Sequence, residues 1–382
     1  MKIISTNPDL QDLCTRFAHA PFVAVDTEFM REGTYWSELC LIQIATANEA
    51  VIIDPLAEGI DLSPFMDLMA NPNVVKVFHA ARQDVEIFVQ QFDTVPIPLF
   101  DTQIAAMAAG FGEQVSYEAL AKAMVKAKID KASRFTNWAR RPLKDSQLKY
   151  ALDDVIHLAA LYPKLRKRLE DGNRLEWIAE DLEILTNPRT YDMIPDQAWR
   201  RLRLRRKTTP YLAALKAAAA WRERTAQANN KPRNRILRDE ALEELAMNKV
   251  QTIEAMNDLR AVPKGFGRSK WGPELAACLA DALADPEAYA PDVEFKGRPD
   301  PIPPAKLEML KVLLKIRSDE IGVASKLIAT ASDLEAFARG EQTFTGWRHE
   351  VFGRDAERVL AGEIAFRLRG ETVEMVELSA HA

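Results

Sequence analysis

The sequence predicts an α/β region with a mixed sheet, followed by an all-α region. Three observations support this fold class: short apolar runs bounded by turn residues, helical patterns that alternate with them, and a lack of strand signals after about Leu185. A chain of 382 residues, 47% hydrophobic and 28% charged, suits a globular protein with two or three domains. We expect the domain boundaries near residues 190–205 and 285–304.

The predicted strands lie within about the first 170 residues. They are rich in β-branched and aromatic side chains and occupy residues 22–25, 40–45, 51–53 and 74–78. Helical periodicity is seen in two stripes, one made by Val85, Phe88, Val89 and Phe92, the other by Leu148, Leu152, Val155, Ala159 and Tyr162. Three clustered strands followed by strand–helix alternation predict a mixed sheet with helices packed on it.

The all-α region contains two connectors and an internal similarity. The connectors are residues 186–196 and the proline-rich residues 285–304. Leu212, Leu215, Lys216 and Arg222 recur 95 residues later as Leu307, Leu310, Lys311 and Arg317. This recurrence favours a duplicated helical module, although chance matches between amphipathic helices are common.

Several classes of protein are disfavoured by the sequence. No apolar stretch approaches the roughly 20 residues of a membrane helix, and Asp9 and Asp12 stand where a signal peptide needs its apolar region. The three cysteines are scattered and lack the spacing of a zinc site or a disulfide framework. We therefore expect a cytoplasmic protein.

Charge is distributed unevenly along the chain. Residues 199–238, called the basic segment below, hold thirteen Lys or Arg residues and one acid, a net charge of +12. The net charge of the whole chain is -5, so the remainder carries −17. The chain is therefore polarised, and its overall negative charge does not argue against a nucleic-acid partner.

An acidic pair follows the first predicted strand. Asp26 and Glu28 are two residues apart, so on a strand both carboxylates project to one side. Two acids on one face repel each other, and a hard divalent cation such as Mg²⁺ or Mn²⁺ offsets that repulsion. Taken alone, the pair is more often two solvated acids at a strand end.

Two further acids follow in helical patterns. Asp84 begins the helix after the strand at residues 74–78, and His79 precedes it at the strand end. Tyr150 and Asp154 are i,i+4 neighbours on one helix face, where a phenol beside a metal-bound acid can hold or deprotonate a water. The alternatives are an acid favoured by the helix dipole, a structural histidine and an ordinary amphipathic helix.

The order of these motifs resembles a known family. FVAVDTEF, KVFHAARQD, PLFDTQIA and TNWARRPL…QLKYALDDV are similar to the DEDD 3′–5′ exonucleases of the tyrosine subclass, and among them to the ribonuclease D family. The helical sequence from residue 208 resembles the HRDC nucleic-acid-binding module. The resemblance implies a ribonuclease H-like exonuclease domain at residues 1–190, an HRDC domain at 205–285 and a divergent HRDC-like domain at 303–372.

The resemblance also implies the catalytic residues. Asp26, Glu28, Asp84 and Asp154 would hold two divalent ions, Mg²⁺ or Mn²⁺, and Tyr150 is the tyrosine that defines the subclass. The implied reaction is hydrolysis of RNA from the 3′ end to nucleoside 5′-monophosphates, in the processing of tRNA precursors and small structured RNAs. Asp101 belongs to the family pattern and is expected to be structural. We expect a monomer without an obligate protein partner or a membrane.

Other residues are candidates for contacting RNA. Phe29 and Met30 could contact the terminal base, with core packing as the alternative. His79 could touch the substrate, and Arg140 and Arg141 could meet its phosphates, although a solvated basic pair explains these arginines almost as well. In the basic segment, the RNA-binding candidates are Arg201, Arg205, Arg222, Lys231, Arg233 and Arg235.

Two rival functions fit parts of the sequence. A DNA exonuclease of the same superfamily has the same four acids and tyrosine, but HRDC-like modules favour ribonuclease D. A non-catalytic RNA-binding protein, such as a tRNA chaperone on a nuclease fold, is the other rival. Degenerate enzymes usually lose an acid, whereas this sequence has all four acids and the tyrosine.

Overall fold

The computed structural model describes residues 2–129, 136–293 and 301–378. The chain forms two compact units. The first unit comprises Met1–Glu28, Leu39–Thr190 and Arg298–Ala382, and the second comprises Phe29–Glu38 and Tyr191–Gly297. The second connector predicted from the sequence includes residues 294–300, which lie outside the described residues.

A six-stranded mixed sheet forms the centre of the first unit. Its strands are β1 (Ile3–Ile4), β2 (Phe22–Met30), β3 (Glu38–Ala45), β4 (Ala50–Ile53), β5 (Val75–Phe78) and β6 (Leu99–Asp101). They are ordered β1-β4-β3-β2-β5-β6, with β3 and β4 antiparallel and the pairs β1–β4, β2–β5 and β5–β6 parallel. The predicted mixed sheet is confirmed; β1 and β6 were missed because two or three residues give no periodic signal.

Helices follow these strands in the first 190 residues. They are α1 (Asn7–Phe17), α2 (Ser63–Ala70), α3 (Arg82–Phe92), α4 (Thr102–Ala108), α5 (Tyr117–Val125), α6 (Asp145–Asp171) and α7 (Ala179–Thr186). The long helix α6 packs on the sheet, because its Val155 and Leu158 share a buried cluster with Ala24 of β2. Side chains alternate along a strand, so the face of β2 that carries Ala24 also carries Asp26 and Glu28.

The second unit is helical. It contains α8 (Thr209–Ala228), α9 (Arg233–Ile236), α10 (Asp239–Met247), α11 (Ile253–Asn257), α12 (Trp271–Ala284) and α13 (Pro286–Tyr289), and turns of 3₁₀ helix occupy Pro195–Arg201 and Phe266–Arg268. Helix α8 is alanine-rich and buried on most sides, with Leu242, Leu245, Leu275 and Leu279 in the core around it. The short segment Phe29–Glu38 belongs to this unit and places Tyr35 in the same core.

The carboxyl-terminal part of the first unit contains α14 (Pro304–Ile321), α15 (Ser325–Ile328), α16 (Ala331–Ala338), α17 (Gly346–Arg348) and α18 (Arg354–Leu360). It packs on residues 39–190 of the same unit through stacked rings of Trp177 and Trp347, whose centroids are 4.6 Å apart. Gly110 allows this close approach, since a Cβ there would lie 2.5 Å from the Gly322 carbonyl oxygen.

Two features of the carboxyl-terminal half bear on the sequence predictions. The expectation that it is entirely helical is wrong, because β7 (Ile364–Arg369) and β8 (Thr372–Glu377) form an antiparallel hairpin around Gly370. The elements α8, α9 and α10 have 20, 4 and 9 residues, and α14, α15 and α16 have 18, 4 and 8. This matched order supports the predicted duplication. Among the described residues, no helix is long and apolar enough to span a bilayer.

Candidate active site

Three carboxylates converge where β2 meets α6. Asp26 and Glu28 lie on the face of β2 that α6 covers, and Asp154 lies on α6. One oxygen from each of these three acids lies within 4.8 Å of the oxygens from the other two. The strand and helix periodicities therefore bring together acids that are 126 residues apart in sequence.

Asp84 lies beside this cluster on a different element, α3. It lies in the first turn of α3 and is buried, and the Thr27 hydroxyl donates a hydrogen bond to its carboxylate. Thr27 stands between Asp26 and Glu28 on β2, with its side chain on the opposite face of the strand. The structure thus links Asp84 to β2 without including it in the 4.8 Å group.

The electrostatics of these acids indicate that a cation belongs beside them. Burial raises the pKa of Asp26 to about 6, although a backbone hydrogen bond from Thr27 opposes the shift. Burial and the charge of Asp26 raise the pKa of Asp84 well above its ordinary value. Oxygen-only donors packed this closely fit a hard divalent cation, and the chemistry of the set does not fit a soft or thiolate-bound metal.

Tyr150 lies one helical turn before Asp154 and is half-buried. Its pKa is raised by burial and by the charges of Asp154, Glu28 and Asp26, and it shares a hydrogen bond with Asp154. Its ring stacks on Trp138, with the centroids 6.1 Å apart. A phenol held protonated in this way can donate a hydrogen bond to a water but is a poor base, which favours the holding role over deprotonation.

Tyr117 is a neighbour of the site that the sequence analysis missed. It lies on α5, and its hydroxyl donates a hydrogen bond to the backbone carbonyl of Asp154. Its pKa is raised by burial and by the charges of Asp154 and Asp26. No motif marks this tyrosine, since it reaches α6 only through tertiary packing.

His79 and Asp101 are engaged by protein groups beside the site. His79 Nδ1 is 3.0 Å from the Thr102 hydroxyl, and that hydroxyl is 3.0 Å from the Phe78 carbonyl oxygen. Burial lowers the pKa of His79, although the Asp101 charge and a hydrogen bond to the Val115 backbone oppose this shift. Asp101 accepts backbone hydrogen bonds from Ala80 and Ala81 at 3.2 and 2.8 Å and caps α4, which is the structural role expected of it.

The remaining candidates, Arg140, Arg141, Phe29 and Met30, differ in their surroundings. Arg141 holds Asp54 with two hydrogen bonds of 2.6 and 2.8 Å and donates to the Cys40 carbonyl at 2.7 Å, so its guanidinium is occupied by the fold. Arg140 is exposed. Phe29 and Met30 end β2 and are half-buried. Of the arginine pair, Arg140 is the better candidate for a phosphate contact.

Many cations of the basic segment have protein partners. Arg201 and Arg233 contact Glu223, Arg222 contacts Asp239, and Arg205 contacts Glu243. Lys231 lies over the Trp271 ring at 5.6 Å, and Arg235 is exposed. Part of the positive charge that the sequence places here is therefore compensated inside the second unit.

Comparisons with known proteins agree with the geometry. Residues 1–170 match a family model described as 3'-5' exonuclease, and residues 212–279 match the HRDC domain. The ribonuclease D of Nitrobacter hamburgensis is 44% identical over 99% of this chain and 100% of its own length, and that of Acidiphilium cryptum is 47% identical over 98% and 97%.

A solved structure extends this similarity to three dimensions. The crystal structure of Escherichia coli RNase D, described as an exoribonuclease involved in structured RNA processing, superposes with a TM-score of 0.81. The sequences are 26% identical, and the match covers 94% of this chain and 98% of the other. The similarity therefore includes both units of the chain.

Proposed function

Because the chain belongs to the ribonuclease D family of 3′–5′ exoribonucleases, we propose that Asp26, Glu28, Asp84 and Asp154 form its catalytic centre. The protein is a hydrolase that cleaves RNA from the 3′ end, in a family that requires a divalent metal ion. The observation that carries the site assignment is the convergence of Asp26, Glu28 and Asp154 within 4.8 Å.

The acids have distinct roles in this proposal. Asp26, Asp84 and Asp154 would hold two divalent ions, Mg²⁺ or Mn²⁺. When bound, the ions would neutralise the acids, activate a water and stabilise the departing 3′-oxygen. Asp84 is held for this task by Thr27, and Asp154 by the Tyr117 hydrogen bond to its backbone.

Glu28 and Tyr150 orient the attacking water for in-line attack on the terminal phosphodiester. Tyr150 donates a hydrogen bond from its protonated phenol, and the stacked Trp138 ring fixes its direction. Phe29 and Met30 contact the terminal base, and Arg140 meets a phosphate. His79 supports this end of the sheet through Thr102. Each cycle releases a nucleoside 5′-monophosphate.

The physiological substrates proposed here are tRNA precursors and other small structured RNAs in the cytoplasm, handled by a monomer. The description of the E. coli relative as a processor of structured RNA supports this substrate class. So does the basic segment, because its net positive charge attracts a polyanion such as RNA. We propose that residues 205–285 are the HRDC domain in this role and that residues 303–372 are its divergent copy.

The test is degradation of a 5′-labelled RNA of about 20 nucleotides in the presence of Mg²⁺ or Mn²⁺. We expect a ladder that shortens by one nucleotide from the 3′ end and 5′-monophosphates as products. A DNA oligonucleotide of the same sequence should be degraded more slowly. Equal or faster degradation of the DNA would contradict the RNA assignment, and absence of any ladder with both ions would contradict the enzyme.

A further inference from the structure

A cavity of about 670 Å³ lies within the second unit and is lined by five arginines. They are Arg31, Arg201, Arg222, Arg233 and Arg238. Arg31 comes from the short segment Phe29–Glu38, and the other four come from the basic segment. Asp239 and Glu240 also line the cavity, so its wall keeps an excess of positive charge.

A buried acid fixes one side of this cavity. The Glu223 side chain is 1% exposed and accepts hydrogen bonds from Arg233 at 2.7 Å and from Arg201 at 3.5 Å. The hydroxyl of Tyr35, another lining residue, also donates to Glu223. Two of the arginine side chains are therefore held in place before any ligand arrives, which lowers the entropic cost of binding one.

The segment that carries Arg31 is fastened to the same unit. The side-chain oxygen of Asn230 accepts hydrogen bonds from the backbone amides of Tyr35 and Trp36, both at 3.0 Å. Arg233 also lies over the Tyr35 ring at 4.8 Å from its centroid. This segment follows Glu28 directly in the chain, so a ligand of the cavity would contact the continuation of the catalytic strand.

Arg222 supplies the observation that points to a missing ligand. Its side chain is 5% exposed and donates to the Leu237 carbonyl at 2.9 Å and to Asp239 at 2.6 Å. Its Nε is buried and finds no acceptor among residues 2–129, 136–293 and 301–378. A buried donor without an acceptor is costly, and this one belongs to a lining residue of the cavity.

The chemistry of the lining selects the ligand. Guanidinium groups match the oxygens of a phosphate with paired hydrogen bonds, and several of them around one cavity favour a phosphate over a neutral group. We propose that this cavity binds a backbone phosphodiester of the RNA substrate, upstream of the 3′ end that is being cleaved. The proposal rests on the function proposed above and identifies where the helical unit holds the RNA.

The test measures binding of a fluorescently labelled tRNA precursor to the full chain, with cleavage blocked by omitting divalent ions. Arg31→Gln and Arg238→Gln each remove one exposed lining arginine. The matched control is Arg268→Gln, an exposed arginine of the same unit outside the cavity. Unchanged circular dichroism and melting temperature establish that each variant is folded.

We expect each cavity variant to raise the Kd about fivefold and to reduce the log–log salt slope by about 0.7–0.9, the change for one lost phosphate contact. The control should change the Kd less than twofold. Equal losses for cavity and control variants would overturn the proposal, because a diffuse positive field would then explain the binding.

A second arm distinguishes the RNA backbone from a free nucleotide, which offers the same phosphate chemistry. Adenosine 5′-monophosphate at millimolar concentration should not displace the RNA. Displacement that is lost in Arg238→Gln would assign the cavity to a mononucleotide and overturn the RNA assignment. Failure here is distinguishable from failure of the proposed function, because the ladder assay uses metal and a short RNA and reports cleavage alone.

Discussion

Asp26 is partly buried and Glu223 is fully buried, yet the protein treats the two carboxylates in opposite ways. Burial raises the pKa of Asp26 to about 6. Burial also disfavours the Glu223 carboxylate, but hydrogen bonds from Arg233 and Tyr35 outweigh it and hold the pKa of Glu223 below its ordinary value. The fold pairs the negative charge of Glu223 with Arg201 and Arg233, and it leaves the charge of Asp26 to be neutralised by a ligand.

We propose that this difference separates a structural acid, Glu223, from a catalytic one, Asp26. A buried charge that is paired with opposite charges helps to hold those partners in place. Its removal leaves the partners without a counter-charge. An unpaired buried charge is a cost that only a functional gain explains, and in this family that gain is a metal ion. We therefore expect substitution of Asp26 to lower activity and substitution of Glu223 to lower stability.

The largest expected effect is on cleavage. Asp154→Asn and Glu28→Gln should each lower kcat by about 10³-fold or more, because each removes a carboxylate from the group proposed to hold the metal ions. The matched control is Asp153→Asn, which removes the same charge one residue away on another side of α6. Single-turnover assays on a short RNA provide the measurement. A similar loss of cleavage in the control would show that the effect comes from the change in net charge and not from a lost metal ligand.

Tyr150→Phe should have the next largest effect. It keeps the ring that stacks on Trp138 but loses the hydroxyl, so kcat should fall by roughly 10–10³-fold while the Kd for RNA hardly changes. Tyr162→Phe on the same helix is the control, since its hydroxyl accepts a hydrogen bond from Arg166 instead. Weaker RNA binding with an unchanged cleavage rate would make Tyr150 a substrate contact.

Glu223→Gln should lower stability, because it leaves Arg233 and Arg201 without their buried partner. Removal of one partner of a buried pair costs about 3–5 kcal/mol, and the half-exposed Arg201 places the expected loss at or below the lower end of this range. Glu254→Gln, an exposed acid of the same unit, is the control. Thermal unfolding measures the difference, and an unchanged melting temperature would mean that the network does not stabilise the unit.

The smallest expected effect is the pH dependence of the metal-free protein. Asp26 has its native pKa raised from 3.8 to about 6, so the native state holds more protons than the unfolded chain between these values. Stability should therefore fall as pH rises through this window, by about 1–3 kcal/mol, and Asp26→Asn should remove this component. Glu223 has the opposite sign, because its lowered pKa contributes stability that is lost as pH falls.

That pH effect is measured from melting temperatures in chelator between pH 4 and 8. Added Mn²⁺ should raise the melting temperature more at pH 7.5 than at pH 5, since a proton on Asp26 competes with the ion. Identical profiles for the wild type and Asp26→Asn would show that Asp26 carries no such penalty.

Much of the fold could be predicted from local patterns. The strands at residues 22–25, 40–45, 51–53 and 74–78 correspond to β2, β3, β4 and β5, because buried strands leave continuous apolar runs. The hairpin of β7 and β8 was missed because the prediction relied on continuous apolar runs, whereas the apolar residues of β7 alternate with charged ones, as in Phe366, Arg367 and Leu368. That alternation is itself typical of a half-buried strand, and only Ile364 of this hairpin is fully buried.

The candidate site was only partly accessible to sequence reasoning. Spacing predicts that Asp26 and Glu28 share a strand face and that Tyr150 and Asp154 share a helix face. That α6 covers this face of β2 is a property of tertiary packing, as are the contacts of Thr27 and Tyr117. For the same reason the run of arginines predicted a basic surface but not its compensation by Glu223, Asp239 and Glu243.

The most direct test of this account is a single-turnover assay of Asp26→Asn on a 5′-labelled RNA, with Mn²⁺ present and enzyme in saturating excess. We expect cleavage to fall by about 10³-fold or more, while the metal-free Kd for the RNA stays within about twofold of the wild type. Cleavage within a few-fold of the wild-type rate would contradict the assignment of Asp26 and its neighbours as the catalytic metal site.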